Sequence, residues 1–306
     1  MSATVDRGEL ESYYGRPILK APVWKPEIPM YFFTGGVAGA SSLLSLAGRA
    51  ARNERIARTS LFVGLAAEIV SPALLVSDLG RPERFLKMLR VFKVTSPMNV
   101  GSWILATSGS ATTTAAACEL SGRLPRVKLA AEALSALAGA PLATYTATLL
   151  TDTAIPVWHE ARRELPFVFA SSAAASAGAA AALFMPPSEA GPARRLAIGG
   201  AVAQNVAMAG MEARLGFVGE PYHQGVAGAL NWAARAATLS GAWLLARGGG
   251  RRRSAAVAGS ALVLGGEVAL RFSVFRAGFQ SARDPRYTVR PQRERLTASR
   301  DKSAER

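Results

Sequence analysis

Glu68 stands inside an apolar run, TSLFVGLAAEIVSPALLV, with Pro72 four residues further on. Proline has no amide hydrogen, so the Glu68 carbonyl loses its helical partner and a free acceptor lies beside the carboxyl. A carboxyl placed in this way can relay a proton or edge a ligand pocket. It can equally make a structural hydrogen bond to another helix. Tyr145 and Asp152 are seven apart in APLATYTATLLTDTAIPVWHE, with Pro141 loosening the helix ahead of them. That spacing puts them on one helix face, on neighbouring turns. A phenol donates well to a carbonyl such as that of a quinone, and a nearby carboxylate can pass a proton. The same pair also suits an interfacial aromatic beside a solvated acid.

A third group lies in SDLGRPERFLKMLRVFKVTSPM, residues 77–98, a basic loop between two apolar runs. Asp78 and Arg81 can pair to hold this loop, or Arg81 can steady negative charge on a bound ligand. Lys87, Arg90 and Lys93 recur every third residue, the spacing of one face of a short interfacial helix that meets lipid headgroups or a partner. Glu267 and Arg271 have the favourable acid-first i, i+4 order and are expected to form a structural ion pair. Arg235 needs a carboxylate or carbonyl partner, and Glu267 is a candidate. Gln204 and Asn205 can hydrogen-bond between helices without doing chemistry.

These residues need helices to hold them. The chain has 306 residues, half of them apolar, with the charge gathered between long Ala- and Gly-rich runs. That distribution describes a multi-span membrane protein. A span needs about 20 apolar residues. Eight stretches qualify: 30–48, 59–76, 100–119, 129–151, 166–185, 195–215, 224–245 and 254–274. The organisation is therefore a polar arm over 1–28, a transmembrane domain over 29–275 and a basic tail over 276–306. Pro17, Pro22 and Pro26 in the arm, with Pro29 just past it, disfavour a regular helix up to its end.

With eight spans both termini lie on one face, the terminal face, with the 77–98 loop and the turns near Trp158 and Tyr222. The inner loops of the opposite face carry more Arg and Lys, which places the termini outside the cytoplasm. Counting the basic tail reverses that answer. The single cysteine, Cys118, excludes an intrachain disulfide and a Cys-ligated cluster or zinc site. His159 and His223 stand at segment ends, a placement that disfavours bis-His haem. The net charge is +15, and eight basic residues follow one another in the C-terminal tail, from Arg283 to Arg306. No folded basic face for nucleic acid is evident, so the tail is read as meeting lipid headgroups or an acidic partner. The first 26 residues are polar, and no cleavable signal peptide is expected.

DLGRPERF at 78–85, SPMNVGSW at 96–103, TYTATLLTDTAIPVW at 144–158 and WKPEIPMYFFTGGVAGA at 24–40 together resemble signatures of the NrfD/PsrC family. Its members are membrane subunits of molybdopterin and iron–sulfur oxidoreductases. The resemblance covers nearly the whole chain and implies an all-α integral membrane protein, with eight helices in two four-helix bundles. It implies a subunit of the plasma (inner) membrane that holds neither haem nor an iron–sulfur cluster. A four-cluster ferredoxin-like subunit is implied on the terminal face, serving a molybdopterin-type or other catalytic subunit. A quinone, menaquinone or ubiquinone, is implied just beneath. Tyr145 is similar in position to the family's quinone-binding tyrosine, and polar groups near the start of the first helix complete that site. Here Tyr31 and Thr34 stand in that region, and the family's histidine is missing. The site residues expected on this reading are Tyr145, Tyr31, Thr34, Asp78 and Arg81 around the quinone, with Asp152 and Glu68 for proton exchange. Two other readings remain at this point: a secondary transporter, to which Pro72 and Pro141 give some support, and a plain anchor for a soluble enzyme.

Overall fold

The computed structural model describes residues 18–79 and 83–294, and among them the chain is all helical. Eight long helices carry the fold: α1 Glu27–Ala50, α2 Glu54–Asp78, α4 Pro97–Ser121, α5 Pro125–Thr151, α7 Leu165–Phe184, α8 Gly191–Leu215, α9 Gly225–Arg247 and α10 Arg253–Arg283. Two short ones, α3 Glu83–Met88 and α6 Pro156–Glu160, lie at the terminal face. Their starts follow local chemistry. Asn53 caps α2 by accepting from the Ile56 amide at 3.1 Å, and Ser96 caps α4 ahead of Pro97. Gly122 closes α4 in the left-handed region, at φ 64°. Both internal prolines, Pro72 and Pro141, are accommodated inside continuous helices.

Each expected stretch corresponds to one long helix, generally longer than hydropathy delimits it. The last differs most, because α10 continues to Arg283. Five helices are long and apolar enough to cross a membrane: α1, α2, α5, α7 and α10. The other three are as long but carry more polar groups. α4 is rich in Ser and Thr, α8 holds Gln204, Asn205 and Glu212, and α9 holds Asn231 and Arg235. The short interfacial helix expected from the spacing of Lys87, Arg90 and Lys93 is not formed as such. α3 ends at Met88, and a turn closed by Arg90 N to Lys87 O at 3.2 Å redirects the chain.

The helices pack as two groups of four. α1, α2, α4 and α5 pack on one another, as do α7, α8, α9 and α10, and the groups meet where α7 and α10 pack on α1 and α7 also packs on α5. The close contacts run through small residues. A Cβ on Gly139 would lie 2.6 Å from the Gly39 carbonyl oxygen, and one on Gly241 would lie 2.6 Å from that of Gly259. Backbones this near leave no room for a side chain. Lipid tails are as apolar as leucine, so helices in a bilayer associate through such close packing and interhelical hydrogen bonds.

Gly139→Leu should therefore force α1 and α5 apart and lower the thermal unfolding midpoint in detergent, at a cost of about 1–3 kcal/mol. Gly199 has nothing within 4 Å of a built Cβ, so Gly199→Ala should leave the midpoint unchanged or slightly higher.

Candidate functional site

The first turn of α1 places Tyr31 in the interior, 1% exposed, and its hydroxyl hydrogen-bonds that of Tyr145 on α5. One phenol donates and the other accepts, which leaves the acceptor's own hydrogen available to a further group. The Tyr145 ring lies against α4 at Gly101, where a Cβ would come within 2.7 Å of Tyr145 Cζ. Any side chain there would displace the ring. Gly101 lies inside SPMNVGSW, and its role was not legible before the packing was known. One turn deeper, Thr34 Oγ1 donates to the Tyr31 carbonyl at 3.3 Å and receives the Ser71 hydroxyl at 2.8 Å.

Glu68, one turn below Ser71 on α2, is 4% exposed. Its Oε1 accepts from Ser108 of α4, and its Oε2 is buried with no hydrogen-bond partner. Gly109 leaves space beside that oxygen, since a Cβ there would sit 3.4 Å away.

At the rim, the Lys25 amide donates to Asp78 Oδ1 at 2.9 Å, which ties the N-terminal arm to the end of α2. Arg81 lies outside the described residues. Asn99, in the first turn of α4, holds the preceding segment at two points. Its Oδ1 accepts from the Lys93 amide at 2.7 Å, and its Nδ2 donates to the Met88 carbonyl at 2.6 Å. Trp158 of α6 is fully buried and donates from Nε1 to the Val274 carbonyl at 2.8 Å. Trp24 of the arm stacks on it at 5.8 Å. These indoles bind the arm, α6 and α10 into one lid of aromatic rings.

Tyr145 and Asp152, expected on one face, are in different surroundings. α5 ends at Thr151, so Asp152 sits at the cap position, exposed, while Tyr145 stays largely buried. Asp152 instead lines a surface cavity of about 420 Å³ with His159, Glu160 and Tyr287. Burial, with the Glu220 carboxylate beside it, pushes the Tyr287 phenol up to about 12. It therefore stays a neutral donor to Glu220, at 3.1 Å.

Two expectations in the second helix group are corrected. Arg235 does not reach Glu267. Its Nη2 bonds Glu212 of α8 at 2.5 Å, and Asn231 donates to the other oxygen of Glu212 at 2.8 Å. Glu267 and Arg271 do not form the expected ion pair within 4.0 Å. The Arg271 guanidinium lies 3.6 Å over the Phe169 ring and donates to the Phe169 carbonyl at 3.2 Å, while both Glu267 oxygens are buried without a hydrogen-bond partner. The ring face attracts the cation away from the carboxylate's side. Asn205 does hydrogen-bond between helices, to Thr238 at 3.0 Å.

A family model described as polysulphide reductase, NrfD, matches residues 19–189, from the arm through the first five long helices. No curated protein matches the sequence.

Gly101→Ala is expected to move the Tyr145 ring and break its bond to Tyr31. A structure of the variant would show a displaced ring. Its unfolding midpoint should fall by the equivalent of about 1–3 kcal/mol, the usual cost of overpacking.

Proposed function

Because the chain belongs to the polysulphide reductase NrfD family of oxidoreductase membrane subunits, we propose that it binds a quinone at Tyr31 and Tyr145. On this reading all eight long helices cross the plasma membrane, with the termini on the non-cytoplasmic side. The terminal face receives a four-cluster ferredoxin-like subunit, which connects the quinone to a molybdopterin-type or other catalytic subunit.

The observation that carries the reading is the pair of phenol hydroxyls, bonded to each other beneath the terminal face and seated on Gly101. The residues fit a quinone headgroup on physical grounds. One phenol hydrogen is free to meet a carbonyl oxygen. The surroundings are otherwise apolar, with Leu105 and Leu142 fully buried in the same core, and ligand sites commonly combine such a core with a few convergent polar groups.

A bound quinone supplies a couple of two electrons and two protons. The protein's own residues supply position and proton handling. Tyr145 holds the headgroup by its hydrogen bond, and Tyr31 orients Tyr145. Thr34 and Ser71 anchor the first turns of α1 to α2, so that Tyr31 keeps its place. The Trp24–Trp158 stack keeps bulk water off the site. Glu68, with one oxygen unpartnered, takes up or gives back a proton within the membrane. Asp78 fastens the arm, and Asp152 exchanges protons at the surface cavity. Arg81 adds positive charge at the rim.

Tyr145→Phe in the assembled complex should lower quinol-linked electron transfer roughly tenfold, the loss of one hydrogen bond of about 1.4 kcal/mol. Tyr31→Phe should cost less, and the double variant should cost less than the sum, because the two hydroxyls act together. Unchanged rates in Tyr145→Phe would overturn the assignment and leave a plain anchor.

A further inference from the structure

Past α10 the chain turns at Asp284, in an extended conformation, and enters a last helix over 286–294. Two contacts fix that helix on the Gly216–Tyr222 turn between α8 and α9. Tyr287 is 4% exposed, packs its ring 5.1 Å from that of Phe217 and donates to Glu220 at 3.1 Å. Arg290 lies 4.5 Å over the Phe217 ring, where the ring face attracts the cation. Arg286, Arg290 and Arg293 are four and three residues apart, so they share one side of the helix. All three are exposed. With Val289 and Phe217 they line a recess of about 320 Å³. On its other side the helix borders the cavity of Asp152, His159 and Glu160. A basic and an acidic recess thus flank one ridge.

The basic recess suits carboxylates. Arg286 pairs with Asp284 at 2.8 Å and Arg290 with Glu294 at 3.2 Å. Both are surface pairs, which hold weakly, and a guanidinium carries five N–H donors. Each can therefore bond a second carboxylate. Three arginines against Asp284 and Glu294 leave the recess net positive. Its height excludes lipid headgroups. With α10 crossing the bilayer, Arg253 and the exposed Arg276 stand about 34 Å apart along the axis, near the hydrocarbon thickness of about 30 Å. Arg283 lies about 10 Å further out, past a headgroup layer of roughly 5–7 Å. Beneath the last helix lie Phe217 and Glu220. The recess therefore stands on protein, at the level where a soluble subunit docks.

We propose that the last helix is a docking ridge for the iron–sulfur subunit, and that the recess of Arg286, Arg290, Arg293 and Phe217 takes an acidic segment of that subunit. The proposal rests on the reading that such a subunit docks on the terminal face. Carboxylates of the segment meet the guanidiniums, whose planar forks match them in paired bonds. An apolar side chain of the segment covers Phe217 and Val289. The opposite charge of the two recesses fixes the direction in which the partner lies across the ridge. The Tyr287 and Arg290 contacts hold the ridge in place before docking, which lowers the entropy lost on association. The family match ends at residue 189, so the ridge belongs to the part of the chain that can select one partner among related ones.

The test follows association of the purified iron–sulfur subunit with the full chain in nanodiscs, made of neutral or of anionic phospholipid. Arg286→Gln combined with Arg290→Gln and Arg293→Gln should slow association roughly tenfold at low salt, and the difference should vanish at high salt. Electron transfer at saturating subunit should be retained. Lysine at the same three positions keeps the charge and should restore most of the rate. A second readout does not depend on weakened binding. In Arg286→Lys with Arg293→Lys, a carbodiimide should cross-link both positions to Asp or Glu of the subunit. Association indifferent to the glutamine variant, or no cross-link, would overturn the ridge. A glutamine effect confined to anionic nanodiscs would also overturn it, since headgroups would then be the occupant. If the unmodified chain holds no iron–sulfur subunit, the docking reading falls and the ridge with it. If it holds the subunit and the variants hold it equally, only the ridge falls.

Discussion

Everything else in this protein depends on how closely its helices approach. In lipid, burial of apolar surface does not favour helix association over lipid contact, so van der Waals packing and hydrogen bonds must hold the helices together. The Gly39–Gly139 contact brings α1 and α5 to backbone distance. One turn away on each helix, Ser42 and Ser135 are then near enough to bond at 2.9 Å. Two turns above, the same pair of helices brings Tyr31 to Tyr145. The glycine contact and the polar contacts are consequences of one geometry. The second group repeats the device at Gly241 and Gly259, where α9 and α10 pack.

Charge is distributed by the same logic. Arginines at helix ends do structural work on carbonyls that the helix leaves unpaired. Arg253 donates to the carbonyls of Leu183 and Met185 at the end of α7, at 2.5 and 2.7 Å, where the helix dipole also favours a cation. Buried carboxyls are kept in two kinds of setting. In the first, Glu68 has only hydroxyl company. In the second, Glu212 is enclosed by Arg235 and Asn231, and a buried pair of that kind is costly to break from either side. The family match ends at residue 189, so the Glu212 cluster belongs to the part of the chain beyond it. The phenol pair lies within it.

At the terminal face, rigidity comes from a few bonds to backbone. Asn99 holds the Met88–Lys93 segment, Asp78 holds the arm, and Trp158 is pinned to Val274. A Cβ on Gly278 would overlap the Trp158 ring, so α10 has a smooth spot where the indole lies. An electron-transfer partner docking here would meet a surface whose loops are already fastened, which limits the entropy lost on association.

The existence, order and type of the eight long helices follow from sequence alone, because apolar run length and the Pro, Gly and charge clusters between runs are local properties. Several boundaries follow as well, as at Asn53 and Ser96, where a capping side chain acts within three residues. Tyr145 and Glu68 stood out by type inside apolar runs, whereas Tyr31 was indicated only by the family resemblance. What each of them touches was decided by tertiary structure. These helices are nearly uniform in Ala, Gly, Ser and Thr around their circumference, so no face is marked in advance. Their rotation is set by packing of backbones against one another. That rotation joins Tyr31 to Tyr145 across 114 residues, gives Arg235 to Glu212 rather than Glu267, and seats a tyrosine ring on Gly101. Asp152 lies at the surface because α5 ends at Thr151, the residue before it. Local sequence determines which helices form; the interhelical fit determines which polar groups meet.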